Sequence, residues 1–546
     1  MKRKAVAAVL TAVMVASMFT GCGSDNGSSS AKSASAASAA SAANDTVDED
    51  GKVNGIMYQE GLPLVDEGDY TFSIFCDDSS ESGEFIMLDE FKKQTNVDVD
   101  LKIYPYETAT ERLNLDLNSG DYADVIGGWT LSDNAILTYG VNQGVFIPLE
   151  DYFEKYCPNI SAILDLPGVR EKMTAPDGHI YTIPYVCGDT TVGYSPYINT
   201  KWLENVGMSM PTTTDEFEAV LKAFKEQDAN GNGDASDEIP FSTDPNNKHI
   251  EAMAGYFGLP MNKLGIAIQD EKVVYGGVSD TYREFLSWFH KLYAEGLVDV
   301  ELYTQDSSTW EGKGNQDLYG VSIAYGSNEF TGIPAAEERG DFDSMPVLNT
   351  DKDGIWLRDT EGFSVYRTQA VITNKAEHPE IICRWFDNAF ALENGIGCNR
   401  GPVGVIVNKE DDGYHAIDTT TLSEEDQEKY SWGNLWPQSL PKYLPADFEF
   451  VEEHPMYDEK KATEEAYEAN LTKEIIPSYW IDLDKIDTFS DTNTAIKDFF
   501  EQQQAQFVCG ELDIDNDADW QAYVDGMYSL GLEDWVATQG IEEIAK

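Results

Sequence analysis

The chain lacks the short motifs that mark the commonest enzyme classes. Its 546 residues contain no His-Glu-x-x-His, no Gly-x-Ser-x-Gly and no glycine-rich phosphate loop, which leaves zinc proteases, α/β-hydrolases and P-loop enzymes without their central residues. Histidine is scarce: His179, His249, His290, His378, His415 and His454 stand apart in sequence, none with a zinc-ligand neighbour at the expected spacing. The seven cysteines form no Cys-x-x-Cys pair. Basic residues are also few, 37 Lys and Arg against 98 Asp and Glu. That balance excludes nucleic acid as a partner, because binding a phosphate backbone needs a basic face to displace counterions. No internal repeat is present to suggest an adhesive array. After the first twenty residues, no apolar run reaches the length of about 18 needed to span a bilayer.

The N-terminus carries a positive signal. Lys2, Arg3 and Lys4 precede an apolar run from Ala5 to Met18, and Phe19-Thr20-Gly21 lead directly into Cys22. This pattern predicts a lipoprotein export signal over residues 1–21: a peptidase cuts after the small Gly21, and the Cys22 thiol takes a diacylglycerol anchor. The alternative is an ordinary secretory signal with an incidental cysteine. Residues 22–56, opening with Gly23-Ser24-Asp25-Asn26 and running on in Ser-Ala units to about Ala43, have little that could form a core and are expected to act as a flexible tether. The body should therefore work outside the cytoplasmic membrane, held to its outer face.

Cleavage removes three basic groups and no acidic one, so 34 basic groups face 98 acidic ones and the mature charge is −64. Such a charge favours solubility and names no ligand. Hydrophobic residues at 42% and aromatics at 12% still call for a packed body, not a disordered one. Beyond the tether, its length suits two large lobes or three domains. With Cys22 lipidated, Cys76, Cys157, Cys187, Cys383, Cys398 and Cys509 remain. Their even number allows disulfides, but a body of this size can form its core without them, and buried free thiols are expected.

Strand and helix patterns alternate. Tyr70–Phe75 and Val97–Ile103 read as strands with a helix between them over Glu84–Thr95, the start of a β-α-β unit. A helix over about Glu107–Asn118 leads to a short buried strand ending Val125-Ile126-Gly127-Gly128-Trp129, and ligands in α/β sheets sit at such carboxyl ends. Thr213 and Glu216 are spaced as a capping box. Tyr282–Glu295 carries one apolar face, with Gly296 placed to end the helix.

Several segments occur in an ordered series: Ser119-Gly120-Asp121-Tyr122-Ala123-Asp124-Val125-Ile126, Ile198-Asn199-Thr200-Lys201-Trp202-Leu203, Pro211 to Phe217, Leu292 to Asp299, Val371-Ile372-Thr373-Asn374 with His378-Pro379-Glu380, and the closing Phe507-Val508-Cys509-Gly510 and Asp519 to Val524. In this order they resemble the extracellular solute-binding proteins of carbohydrate ABC importers, in particular the larger oligosaccharide and alginate-oligosaccharide binders. The resemblance covers nearly all of the body. It implies an α/β, two-lobe fold of the periplasmic-binding-protein type II class, each lobe a mixed sheet flanked by helices and joined by hinge strands. It places residues 57–184 with 366–425 in one lobe, and 185–365 with 426–546 in the other, the first crossing falling near Ile183-Pro184-Tyr185.

The most specific local motif is Asp228 to Glu238. Asp228, Asn230, Asn232 and Asp234 stand at positions 1, 3, 5 and 7 with Gly233 at 6, as in an EF-hand loop, and Asp237 and Glu238 can complete an oxygen shell for Ca²⁺ because Ile239 occupies position 12. The resemblance adds a structural calcium held by a similar loop before Asp-Glu-Ile-Pro. A plain Asn/Gly-rich turn is the other reading. Asp513 to Asp519 also alternates carboxylates but lacks the glycine, and reads as a solvated turn ending in an Asp cap.

A sugar packs its C–H faces on flat rings and turns its hydroxyls to polar edges, so the binding groups should be aromatic platforms in a cleft. Trp129 and Tyr325 are the first candidates because each follows a strand; Trp310, Trp356, Trp432 and Trp436 lie in loop-like contexts. Trp202, Trp288, Trp385, Trp480 and Trp520 are assigned to packing. A uronic ligand would call for Arg112, Arg283 or Arg367 at the cleft. The expected function is capture of an oligosaccharide by a monomeric, lipid-anchored receptor, closure of its lobes and delivery to an ABC permease. An anchored glycoside hydrolase and a binder of another solute such as a peptide are the alternatives, though the many carboxylates make chance acidic pairs common.

Overall fold

A computed structural model describes residues 45–545 apart from 79–83, 245–248, 333–339, 418, 446–447, 449 and 452–454. The expected signal, Cys22 and the Ser/Ala tract thus lie outside the described residues; the end of the expected 22–56 tether does not behave as one, because Lys52–Val53 pair with Met57–Tyr58 and Val53 is buried in the first core.

The strands of the two principal sheets are, in chain order, β1 (Tyr70–Asp77), β2 (Val97–Tyr104), β3 (Val125–Gly127), β4 (Thr182–Gly188), β5 (Ser195–Asn199), β6 (Ile239–Thr243), β7 (Tyr319–Ala324), β8 (Phe342–Ser344) and β9 (Phe363–Ile372). Seven helices matter for the argument: α1 (Ile86–Thr95), α2 (Tyr106–Ser119), α3 (Thr214–Glu226), α4 (Asp280–Ala294), α5 (Pro379–Ala389), α6 (Pro455–Tyr467) and α7 (Ile486–Cys509). The first sheet has the order β2-β1-β3-β9-β4 and the second β8-β5-β7-β6. In the first, β1 runs parallel to β2 and β3, while β9 is antiparallel to both of its neighbours. The β-α-β unit read from the sequence is present, its strand extended by two residues to Asp77.

Both faces of the first sheet are covered. Phe72 and Ile74 point into a cluster with Phe91 of α1 and Ile382 and Trp385 of α5, while Phe75 points the other way, to Ala109, Leu113 and Leu117 of α2, as the period of two along a strand requires. The second sheet packs beneath α3 and α4. Tyr282, Phe285, Leu286, Phe289 and Leu292 are the buried residues of α4, each contributing on the order of 1.5–3 kcal/mol of transfer free energy. Gly296 ends that helix with φ +67°, the left-handed geometry expected there. The Thr213 hydroxyl accepts the Glu216 N–H at 3.2 Å, but the Glu216 carboxylate reaches back to Thr212, so half of the capping box is shifted by one residue. At the other acidic stretch the helix cap is Asn516, not an aspartate.

Chain segments pass between the two cores more often than the sequence suggests. Trp436 and Leu440 pack in the first sheet's cluster, and Ile481 and Ile486 in the cluster beneath α2, although they fall in the span 426–546 expected to belong wholly to the second lobe. Helix α7 starts beside the first core at Ile486 and carries Ile496, Phe500 and Phe507 into the second. At about 1.5 Å per residue it is long enough to do both. Among the described residues, no helix is long and apolar enough to cross a membrane.

Candidate functional site

The chain around Trp129 is shaped by Asp77 at the end of β1. Asp77 is buried, and its carboxylate accepts the N–H groups of Trp129 at 3.0 Å and Thr130 at 2.6 Å, together with the Thr130 hydroxyl. Gly128 has φ +135°, and a Cβ there would lie 2.3 Å from Asp77 Oδ1; only glycine lets the strand end approach the carboxylate this closely. The turn aims Trp129 outward. Its ring is 45% exposed and meets Tyr366 of β9 edge-on, with centroids 5.3 Å apart. Tyr366 pairs with Tyr185 across β9 and β4, and the two rings stack at 5.5 Å.

The second sheet contributes Tyr325, one residue past β7 and 37% exposed. Its ring meets Tyr194 edge-on at 6.0 Å, and Tyr194 lies flat on His249 at 4.0 Å. The two aromatic groups meet at Asp189, just after β4. Tyr366 donates to Asp189 Oδ2 at 2.9 Å and Tyr325 to Oδ1 at 3.2 Å. The result is an aromatic chain from Trp129 to His249, drawn from both sheets and joined by one carboxylate.

Charged groups frame it. Lys460 of α6 sits 3.6 Å from the Tyr325 ring centroid and donates to the Gly193 carbonyl at 3.1 Å. Burial lowers its pKa to about 8. Glu329 accepts the Tyr325 N–H at 2.9 Å and Asp359 the Gly193 N–H at 2.6 Å. Burial raises Glu329 to about 7 and Asp359 to about 6. Glu464 and Glu459 extend from α6 to the backbone N–H groups of Thr191 and Ser327. On the other side, Lys442 is buried between Tyr185, 5.0 Å away, and Trp432, 5.9 Å away, and donates to Gln438 at 2.7 Å. Desolvation lowers it to about 8.

Of the six aromatic candidates, Trp129, Tyr325 and Trp432, the last 52% exposed, present ring surface. Trp310, Trp356 and Trp436 do not: they are 2%, 1% and 0% exposed. Trp310 packs on Phe330 and donates to Ser322, Trp356 lies against Tyr256 and Tyr467, and Trp436 stacks on Trp385. These three are core residues; their polar flanks, which suggested loops, conceal tertiary burial. The sequence reading missed Tyr366, Tyr185, Tyr194 and Asp189. Tyr366 and Tyr185 lie inside strands and Tyr194 just before one, where tyrosines look like packing residues, and no local signal separates them from those that are.

The arginines proposed for an acidic sugar are engaged elsewhere. Arg112 pairs with Asp116 along α2, Arg283 with Asp517, and Arg367 with Asp133 while lying over Trp480. All six cysteines in the described residues are free, four of them buried, with Cys187 half-buried and Cys509 exposed.

The Asp228–Glu238 loop joins α3 to β6 and turns as a cation loop does. The Gly233 N–H donates to Asp228 Oδ2 at 3.0 Å, the Asn232 N–H to Asn230, and the Asp234 N–H to Asn232. Asp237 accepts the side-chain amides of Asn230 and Asn232. Asp228 Oδ1 and Glu238 Oε2 are buried without any hydrogen-bond partner, and burial, with Asp237 beside it, raises the Glu238 pKa. Two uncompensated carboxylate oxygens in a shell of hard donors fit a calcium ion. A separate trio, Glu410, Asp412 and His415, gathers on an exposed hairpin, where His415 bonds Asp412 at 2.9 Å.

Residues 78–395 match the family described as bacterial extracellular solute-binding protein. The fructooligosaccharide ABC transporter substrate-binding protein FusA of Streptococcus pneumoniae serotype 4 (strain ATCC BAA-334 / TIGR4) is 32% identical over 411 residues, covering 73% of this chain and 70% of FusA. Its structure in complex with kestose superposes with a TM-score of 0.75 at 27% identity, over 86% of this chain and 98% of FusA. Lipoprotein LipO of Bacillus subtilis (strain 168) is 28% identical over 280 residues, 50% of this chain and 52% of LipO. The alginate-binding protein AlgQ2 shares the fold, with a TM-score of 0.69 at 22% identity over 88% of this chain and 99% of AlgQ2. The family match covers more than half of the chain and the FusA alignment most of it. The chain therefore belongs to the bacterial extracellular solute-binding proteins, has their two-lobe type II fold, and is a binding protein of the transport class, not an enzyme.

Proposed function

We propose that this protein captures an oligosaccharide on the aromatic chain between its two sheets and hands it to the membrane permease of an ABC importer. The observation that carries the proposal is the set of rings from both sheets meeting at Asp189. Flat rings take the C–H faces of sugars, and Asp189 and its neighbouring carboxylates supply acceptors for hydroxyls. The β4–β5 and β8–β9 connections and α7 serve as hinges. Closing the sheets' lobes on the sugar gives the ligand more contacts in the closed state, and that difference shifts the population.

Cys22 carries the lipid that holds the receptor to the outer face of the cell membrane, and the Ser/Ala tract is its leash. LipO, named a lipoprotein, supports this reading. Asp228, Asn230, Asn232, Asp234, Asp237 and Glu238 hold a structural Ca²⁺. One FusA structure, 27% identical with a TM-score of 0.74, is described as an EF-hand mutant, which supports a cation loop in a relative. FusA is named for fructooligosaccharides, so kestose is the first ligand to try.

A thermal-shift screen of the unlipidated body against kestose, maltotriose, cellotriose and xylotriose, with chromatography of the same wells, tests the proposal. A ligand that binds only the folded state raises Tm by mass action. The proposal expects a rise with the sugar intact. Cleaved sugar, or no rise with any of the four, counts against it.

A further inference from the structure

The sign of the charge around the aromatic chain restricts what it can hold. The candidate arginines are unavailable: Arg367 is bound to Asp133 and the Tyr479 carbonyl, Arg283 to Asp517 and the Ile514 carbonyl, and Arg112 to Asp116. Lys442 lies between the Tyr185 and Trp432 rings with its ammonium on Gln438, so its charge is taken up by ring faces and an amide. Lys460 covers one face of Tyr325 and bonds Gly193.

Against that cation stand Asp189, Glu329, Asp359, Glu459 and Glu464, all brought to the second-sheet side by hydrogen bonds to nearby tyrosines and backbone N–H groups. At pH 7 Asp359, raised to about 6, is still mostly ionised and Glu329, raised to about 7, about half so. Placing a sugar carboxylate among them would add like charge in a partly desolvated site, where repulsion is strong. The body as a whole, at −64 after cleavage, repels an approaching polyanion as well.

We infer that the aromatic chain accepts uncharged oligosaccharides and rejects those built from uronic acids. This rests on the oligosaccharide reading above and narrows it. Carboxylates that accept hydroxyl hydrogen bonds suit a neutral sugar, because a hydroxyl donates where a carboxylate cannot.

Isothermal titration of the unlipidated protein at pH 7, in 20 and 150 mM salt, compares kestose, maltotriose, cellotriose and xylotriose with trigalacturonate. The inference expects a neutral trisaccharide to bind at least a hundredfold tighter than trigalacturonate, with the gap widening at low salt. Glu329→Gln and Asp359→Asn, checked for an unchanged fold by circular dichroism and Tm, should each narrow the gap about tenfold. Trigalacturonate binding within tenfold of the best neutral sugar overturns the inference and leaves the oligosaccharide reading standing; so does an unaltered gap in both folded variants. Failure of every saccharide, neutral and acidic, removes both.

Discussion

Tyr366 and Tyr325, which come from different sheets, donate to the two oxygens of a single carboxylate, Asp189, at 2.9 and 3.2 Å. Asp189 also accepts the Thr190 N–H and follows β4, on the stretch of chain that leaves the first sheet for the second. It therefore fixes the spacing of the two rings where the chain passes from one sheet to the other. Asp189→Ala should release both tyrosines and raise the oligosaccharide Kd by about ten- to a hundredfold, roughly 1.4–2.8 kcal/mol. Titration calorimetry checks this, and an unchanged Kd in a folded variant would remove Asp189 from the site.

Trp129 and Trp436 should respond in opposite ways. Trp129→Ala removes a half-exposed ring, so Tm should hold within a few degrees while sugar affinity falls by at least tenfold. Trp436→Ala opens a cavity beside Phe91 and Trp385 and should cost about 3–5 kcal/mol of stability, seen as a clear fall in Tm. Equal losses of stability in the two variants would contradict the division into platform and core.

Stability should fall as pH rises through the range set by Glu329. Burial raises this group from 4.5 to about 7, so the folded state binds its proton more tightly than the unfolded chain does. The folded state is favoured below about pH 4.5, and that advantage is lost as pH climbs through 7, at most about 3 kcal/mol. Melting curves from pH 5 to 7.5 should show a smaller decline for Glu329→Gln than for the native chain. A parallel decline would mean that Glu329 is not buried as described.

Removing calcium should lower Tm, and Asp228→Ala should abolish that dependence. In the native protein a chelator would strip the ion from the loop between α3 and β6, leaving Asp228 Oδ1 and Glu238 Oε2 buried and uncompensated. Sugar affinity should change little, because the loop lies on another part of the second sheet. Identical melting with and without chelator would refute the metal site.

Much of this architecture is legible locally. The first β-α-β unit, the Tyr282 helix with its Gly296 terminus and the turn at Trp129 follow from periodicity and glycine geometry, which depend on near neighbours in the chain. The aromatic site is only half legible. Gly127-Gly128-Trp129 announces a strand end, but Tyr366 and Tyr185 are brought together by an antiparallel pairing of strands about 180 residues apart in sequence, and Tyr325 reaches Asp189 across two sheets. Trp356 and Trp436 show the converse: polar neighbours in sequence, yet burial imposed by Tyr467 and Trp385 from distant segments. The passage of Trp436 and Ile486 into the first core is invisible for the same reason.

A crystal structure of the unlipidated protein with the best-binding neutral oligosaccharide tests the central claim most directly. The account predicts sugar rings packed on Trp129 and Tyr325, with hydroxyls on Asp189 and the chain intact. A saccharide seated elsewhere, with those rings still meeting as they do here, would contradict it.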